Sequence, residues 1–337
     1  MIGLNGAEIV GMLDRQKMKK ISVIIPFYQK EKGILQRAVN SVINQQLSKE
    51  SFINLIIVDD NSPIPAKEEI PQPTSSDCLK ITILKKDNGG PASARNYGID
   101  NISKDTDFVA FLDSDDSWEP HHLNTAIKAL ANDKDFYFSN FYQINQNVSA
   151  FDRANKINHK EHIPIPGHQS LYTYQGDMIH QIVTGNVIGT SAVVIRYNVI
   201  NSLRFRESFT NAGEDYLFWI DISKKTDKIV FSTDIGFRCG EGVNVYAGAA
   251  WGTTSLLERT INELRYRKTT HDELILSLED KKFIDDKIRI LRKQVARLII
   301  HLIVRKKTLP LKLIHKAFKA DPSAIVFLPI NIISPGT

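Results

Sequence analysis

Asp107-Phe108-Val109-Ala110-Phe111-Leu112-Asp113-Ser114-Asp115-Asp116 decides how the rest of the chain is read. Residues 107–112 are a short, nearly continuous apolar run, the pattern of a strand buried on both faces. The run stops at three carboxylates within four residues, 113–116. These repel one another, and a strand end does not need them for folding. A divalent cation removes the conflict, because hard cations take carboxylate oxygens and share their coordination with substrate phosphates. An acidic turn can also simply cap the helix expected to start near Pro120. Taken alone, the turn leaves both readings open.

The same pattern lies upstream. Ile21-Ser22-Val23-Ile24-Ile25-Pro26 is a buried run stopped by proline. Residues 52–58 form a second run, ending in Asp59-Asp60-Asn61-Ser62, and residues 81–84 a third. Between them, Ile34, Leu35, Ala38, Val39, Val42 and Ile43 fall at helical spacing. Gly89-Gly90-Pro91 opens a helix through Ala92, Ala94, Tyr97 and Ile99. Trp118-Glu119-Pro120 is expected to start another, and residues 136–139 to form a fifth strand. Strands alternating with helices predict an α/β fold, a mostly parallel central sheet covered by helices. Ligands bind beyond the carboxyl ends of such strands, where both polar tails, 59–62 and 113–116, fall.

Downstream, residues 142–175 are polar and weakly periodic, a loop or hairpin excursion. A strand is expected over 191–195, a helix over 214–222, and a mobile glycine-rich loop over 236–252. Three regions follow: an N-terminal extension (1–19), an α/β domain (20–252) and a helical, basic amphipathic region (253–337).

Composition narrows the function. Hydrophobic residues make up 42% and charged residues 24%, ordinary for a soluble globular chain. Cys78 and Cys239 stand far apart without CxxC spacing, which argues against a zinc ribbon, a redox motif or a disulfide framework and suits a reducing cytosol. Residues 1–20 hold no apolar stretch of signal-peptide length, and no run reaches the ~18 apolar residues of a spanning helix. The net charge of +5 hides an asymmetry: residues 281–319 carry thirteen Lys or Arg against two Asp, +11, which leaves −6 elsewhere. Within them Ile284, Ile288, Leu291, Val295, Leu298 and Leu302 follow a three–four alternation. This basic amphipathic segment could cover the core or attach to an anionic membrane surface. Nucleic-acid binding is not expected, since aromatic interleaving and any recognised module are missing.

Two further motifs carry chemistry. In Asn88-Gly89-Gly90-Pro91-Ala92-Ser93-Ala94-Arg95-Asn96 the glycines allow close backbone approach, and Arg95 can pair with carboxylates or phosphate. Gly213-Glu214-Asp215 puts two carboxylates at a helix start, where they either complement the helix dipole or supply a general base for an acceptor hydroxyl.

Ser22-Val23-Ile24-Ile25-Pro26-Phe27-Tyr28, Val58-Asp59-Asp60-Asn61-Ser62, Ala94-Arg95-Asn96 with Gly98, Phe111-Leu112-Asp113-Ser114-Asp115-Asp116 and Gly213-Glu214-Asp215 occur in this order. Together they resemble the family 2 glycosyltransferases of GT-A fold, over roughly residues 20–235. The resemblance implies a Rossmann-like GT-A domain and an inverting transferase with Mn²⁺ or Mg²⁺ as cofactor. It implies that Pro26 and Asp60 line the nucleoside pocket, and that Arg95 lies near the donor. Asp115 and Asp116 would be the ribose and metal carboxylates, Asp116 the more direct ligand, with Asp113 in support. Asp215 would be the catalytic base, and Glu214 would orient the acceptor. Gln29 departs from the Asn often found there, and the QxxRW signature of processive synthases is missing, so one sugar is added at a time. Arg238, opening the segment Arg238-Cys239-Gly240-Glu241-Gly242, is a candidate diphosphate contact. The expected partners are a nucleotide-sugar donor, UDP-linked, and a glycan acceptor on polyprenyl diphosphate. The expected place is the cytoplasmic face of the plasma membrane, in O-antigen or capsule assembly. A sugar nucleotidyltransferase would need a glycine-rich triphosphate loop where Phe27-Tyr28-Gln29-Lys30 stands, and a non-catalytic binding module would not need Asp116 and Asp215.

Overall fold

The computed structural model describes residues 18–71, 76–131, 133–209, 213–242, 249–305 and 311–324. Residues 1–17 of the expected extension, and 243–248 of the expected glycine-rich loop, lie outside the described residues. The strands are β1 (Lys19–Phe27), β2 (Ser51–Asp59), β3 (Leu79–Lys85), β4 (Phe108–Phe111), β5 (Ser117–Trp118), β6 (Phe136–Tyr142), β7 (Ile163–Pro164), β8 (Leu171–Thr173), β9 (Val193–Arg196) and β10 (Ile229–Arg238). The main helices are α1 (Ile34–Ile43), α2 (Pro91–Asp100), α3 (His122–Ala129), α4 (Met178–Gly185), α5 (Glu214–Ser223), α6 (Thr254–Glu273), α7 (Leu278–Val304) and α8 (Leu311–Ala320). The described strands form one sheet in the order β3-β2-β1-β4-β9-β6-β10-β8-β7, with β5 on β10.

The longest ladders are parallel, as the apolar runs require. Every residue of β1 from Ile21 to Phe27 is buried, so both faces are covered. β1 pairs in parallel with β2 and β4, setting Ile21 opposite Ile53 and Phe108. α1 buries Leu35, Ala38, Val39 and Val42, one helical stripe. α2 sits tightly on β1: a Cβ at Gly98 would lie 2.5 Å from Ile24 Cγ2. Only glycine allows that approach.

β9 enters antiparallel between β4 and β6 and divides the sheet. It begins two residues later than the sequence suggests, after a 3-10 turn at Thr190–Ala192. Ser191 is held off the ladder, because its carbonyl accepts from Trp118 Nε1 (2.7 Å) and its hydroxyl faces the acidic turn. Trp118 does not start a helix. It pairs with Phe237 in β5–β10, Glu119 N continues the contact to Gly236 O (2.9 Å), and the helix waits until His122. The expected loop at 236–252 is therefore strand up to Arg238. Gly236 is there for close packing, since a side chain would collide with Ser139 and His122. The 142–175 excursion includes the β7–β8 hairpin, which extends the sheet edge through β10.

The C-terminal helices share the sheet's core. Ile284, Ile288, Leu291, Val295, Leu298 and Leu302 of α7 are all buried, in one cluster with Leu257, Ile261 and Leu264 of α6. Each such side chain contributes about 1.5–3 kcal/mol when fully buried. The apolar face offered by the sequence for membrane attachment is thus a cover on the domain. Polar ties add to it: Asp280 meets His180 of α4 at 2.6 Å, and Glu273 meets Arg206 at 2.6 Å. Among the described residues, no helix is long and apolar enough to cross a membrane.

Candidate active site

A cavity of about 800 Å³ opens beyond the carboxyl ends of β1, β2 and β4. Pro26, Asp60, Arg95, Asp113, Asp115, Glu214 and Asp215 all line it, so the structure brings together motifs up to 189 residues apart.

The first corner is built from backbone. Asp59 accepts from Ser62 N and Ala66 N, both at 2.8 Å, and shapes the turn after β2. Asp60 lines the cavity with its carboxylate engaged: Gly90 N donates at 2.7 Å, Gly89 N at 3.0 Å and Lys86 Nζ at 2.8 Å. It therefore holds the 86–90 loop in place, a role the motif match did not give it. Gln29 is buried, donates through Nε2 to Ser114 Oγ (3.1 Å), and leaves Oε1 without a partner.

The acidic turn forms the second corner. Asp116 turns away from the cavity: Ser191 Oγ donates to its Oδ2 (2.6 Å) and Gly240 N to its Oδ1 (3.1 Å). Asp113 and Asp115 face the cavity instead. Burial, then the charges of Asp113 and Asp115, hold the Asp116 carboxyl well above the usual carboxylate range. Burial and the neighbouring Asp113 push Asp115 up to about 6. Gly240 and Gly242 lie directly on Asp115, where any side chain would collide with it. The post-β10 segment thus does reach the acidic turn, but Arg238 does not line the cavity. Its Nε bonds Glu119 (2.7 Å) and its guanidinium lies 4.8 Å from the Tyr142 ring.

Arg95 joins this corner to the next. It is 4% exposed. Its Nη2 donates to Asp113 Oδ1 (2.7 Å), and its Nη1 stands 3.7 Å from Glu214 Oε1. The side chain of its neighbour Asn96 fixes α2 to the backbone of Phe205: Oδ1 accepts from Phe205 N (2.7 Å) and Nδ2 donates to Phe205 O (2.9 Å). Gly213, at φ 91°, turns the chain into α5 where a side chain would press on Tyr266. Burial, and then Glu214, push Asp215 up to about 7. Burial raises Glu214 too, against the pull of Arg95.

The third wall carried no motif. Ile182 and Asn186, at and just beyond the end of α4, and Arg259, Glu263, Tyr266 and Arg267 of α6 complete the lining. Their spacing on α6 is that of any amphipathic helix, so residue type gave no signal. His122, beside His121, is no ligand: it is fully buried between Trp118 and Tyr137 and pushed down to about 3 by burial.

Among the described residues, no group of three or more His, Cys, Asp or Glu side chains forms a metal cage. The cavity fits a cation of the other kind, one that takes most of its ligands from phosphate and water. Asp113, Asp115, Glu214 and Asp215 line the cavity with one buried arginine, Arg95, among them, and three of the four carboxyls are raised, first by burial and then by neighbouring carboxylates.

The profile described as Glycosyl transferase family 2 matches residues 22–200. The succinoglycan biosynthesis protein ExoW of Rhizobium meliloti is 32% identical over 255 residues, 73% of this chain and 76% of that protein. WfgD of Escherichia coli, a UDP-Glc:alpha-D-GlcNAc-diphosphoundecaprenol beta-1,3-glucosyltransferase, is 28% identical over 227 residues, 66% of this chain and 76% of that one. The fold is similar to that of the mannosyltransferase PcManGT from Pyrobaculum calidifontis, solved with GDP-Man and Mn²⁺. The TM-score is 0.54 at 13% identity, over 96% of this chain and 90% of the other. The chain belongs to glycosyltransferase family 2.

Proposed function

We propose that this family 2 enzyme is an inverting transferase that moves one sugar from a UDP-sugar to a glycan acceptor carried on polyprenyl diphosphate, in the assembly of a bacterial surface polysaccharide. The observation that carries the reading is the meeting of Asp113 and Asp115 with Glu214 and Asp215 across Arg95 in one cavity. The names of ExoW and WfgD support polysaccharide assembly, and that of WfgD supports the UDP donor and the lipid-linked acceptor.

The donor's nucleoside lies by Pro26 and the Asp60-held loop, and its diphosphate by Asp115. Mn²⁺ or Mg²⁺ held by Asp115, with Asp113 beside it, would neutralise the charge that develops on the leaving diphosphate. Without such compensation this acidic basin would repel a diphosphate. Asp116 supports the turn from behind. Asp215 takes the proton of the acceptor hydroxyl as that oxygen bonds the anomeric carbon, while the bond to the diphosphate oxygen breaks on the opposite face. A base raised to about 7 is matched to a neutral medium. Glu214 orients the acceptor. Gln29, tied to Ser114 and Ser62, occupies the place a nucleotidyltransferase would give to a triphosphate loop. Peripheral attachment to the inner face of the plasma membrane would use the outer face of α7, where Ile290, Lys293 and Val304 are exposed.

The test is a panel of nucleotide sugars with Mn²⁺ or Mg²⁺, scored for donor binding and slow hydrolysis. A UDP-sugar is expected to respond to metal, and a chain that binds no donor with either metal sinks the reading. For the membrane, Ile290→Asp with Lys293→Glu should weaken binding to anionic liposomes; unchanged binding rejects that face.

A further inference from the structure

The α6 wall poses its own question, because it is cationic where the rest of the cavity is acidic. Arg259, Glu263, Tyr266 and Arg267 fall at i, i+4, i+7 and i+8, one face of the helix, and all line the cavity that holds Asp215. The wall adjoins the base. Tyr266 Cβ stands 3.0 Å from where a Cβ on Gly213 would be, and the Tyr266 ring meets Tyr216 edge-on at 5.5 Å. Arg267 is nearly buried, with a side-chain exposure of 13%. Its Nη1 donates to Val183 O (2.6 Å), while Nε has no hydrogen-bond partner. It is thus a fixed guanidinium at the cavity wall, its Nη2 4.0 Å from Glu263 Oε1. Arg259, one turn before Glu263, is exposed at the same wall.

The donor diphosphate has its place at the acidic turn, which Arg95 and Glu214 separate from this wall. Two arginines beside the base, on the acceptor side, match an anion carried by the acceptor. We propose that α6 forms a phosphate subsite for the acceptor, in which Arg259 and Arg267 hold a phosphate ester next to the sugar whose hydroxyl Asp215 deprotonates. The proposal rests on the glycosyl-transfer reading for the role of Asp215. The phosphate could belong to a prenyl diphosphate or to a polyol phosphate chain, and both offer the same oxygens.

Calorimetric titration of the full chain tests it, with geranyl diphosphate and glycerol 3-phosphate as probes, in saturating UDP and Mn²⁺. At least one probe is expected to bind alongside UDP. Arg259→Glu and Arg267→Gln should each weaken it at least tenfold, with UDP affinity unchanged and Arg267→Lys restoring most of the loss. Preference for geranyl diphosphate supports the prenyl source, and preference for glycerol 3-phosphate supports the polyol source. Displacement of both probes by UDP, or variants that bind them like the parent, overturns the subsite. If UDP itself does not bind the parent chain, the donor reading fails, and the same titrations without UDP still decide whether α6 takes the phosphate.

Discussion

The wall of the cavity at the strand ends and the wall made by α6 are built on different principles. At the strand ends, carboxylates are bound mostly by backbone: Asp60 by the amides of Gly89 and Gly90, Asp116 by the amide of Gly240 and the hydroxyl of Ser191. Asp60, Asp113 and Asp116 are fixed before any ligand arrives. On α6, side chains stand in one helical row and carry two arginines. A rigid acidic wall suits a cofactor and a diphosphate that must sit in one geometry. A helical row suits recognition, since each position can change without disturbing a turn.

The sharpest way to break this contrast is Asp215→Asn. Loss of a positioned base is expected to lower transfer by about 10²–10⁴-fold, with donor binding retained; surviving transfer would move the base elsewhere. The parent's kcat/KM should rise with pH through about 7 and fall roughly tenfold per unit below it. The same residue links activity to stability. Folding raises the Asp215 carboxyl, so the folded chain holds a proton that the unfolded chain releases, and the stability this gives at low pH is lost as pH climbs from about 4 towards 7. Asp215→Asn, which cannot ionise, should therefore be more stable than the parent by about 4 kcal/mol at pH 8 and close to it near pH 4; urea unfolding at both values checks this.

Next in size is Asp115→Asn, expected to reduce Mn²⁺-dependent donor binding by about 10–100-fold and to flatten the response to EDTA. If Asp116→Asn does this and Asp115→Asn does not, the metal corner has been assigned to the wrong carboxylate. Arg95→Met removes the buried cation between Asp113 and Glu214 and should cost about 3 kcal/mol of stability. The smallest effect belongs to Arg238→Ala. Its ion pair with Glu119 lies at the surface, so stability should change by less than about 1 kcal/mol and donor affinity not at all. A clear loss of donor affinity would bring Arg238 back to the diphosphate.

What could be read in the sequence follows the same division. β1, β2 and β4 were legible because strands buried on both faces need nearly unbroken apolar runs. The acidic turn stood out because a strand end has no folding use for three carboxylates. Trp118 and Gly236 were misread because a two-residue strand and a glycine inside a ladder owe their form to distant partners, Phe237, Ser139 and His122. The inward turn of Asp115 and the outward turn of Asp116 depend on Ser191, 75 residues away from the latter. Arg259, Tyr266 and Arg267 were hidden because periodicity shows that a helix has faces and does not show which face meets a cavity.

Arg95 and Asn96 have a consequence for anyone who recombines such enzymes. One residue ties α2 to Asp113 and Glu214, and the next ties it to Phe205. Donor and acceptor corners therefore cannot be exchanged as cassettes with a seam between them. A chimera that takes residues 88–100 from one parent and 205–215 from another would inherit mismatched halves of a single lock, and such segments should be transplanted as a set.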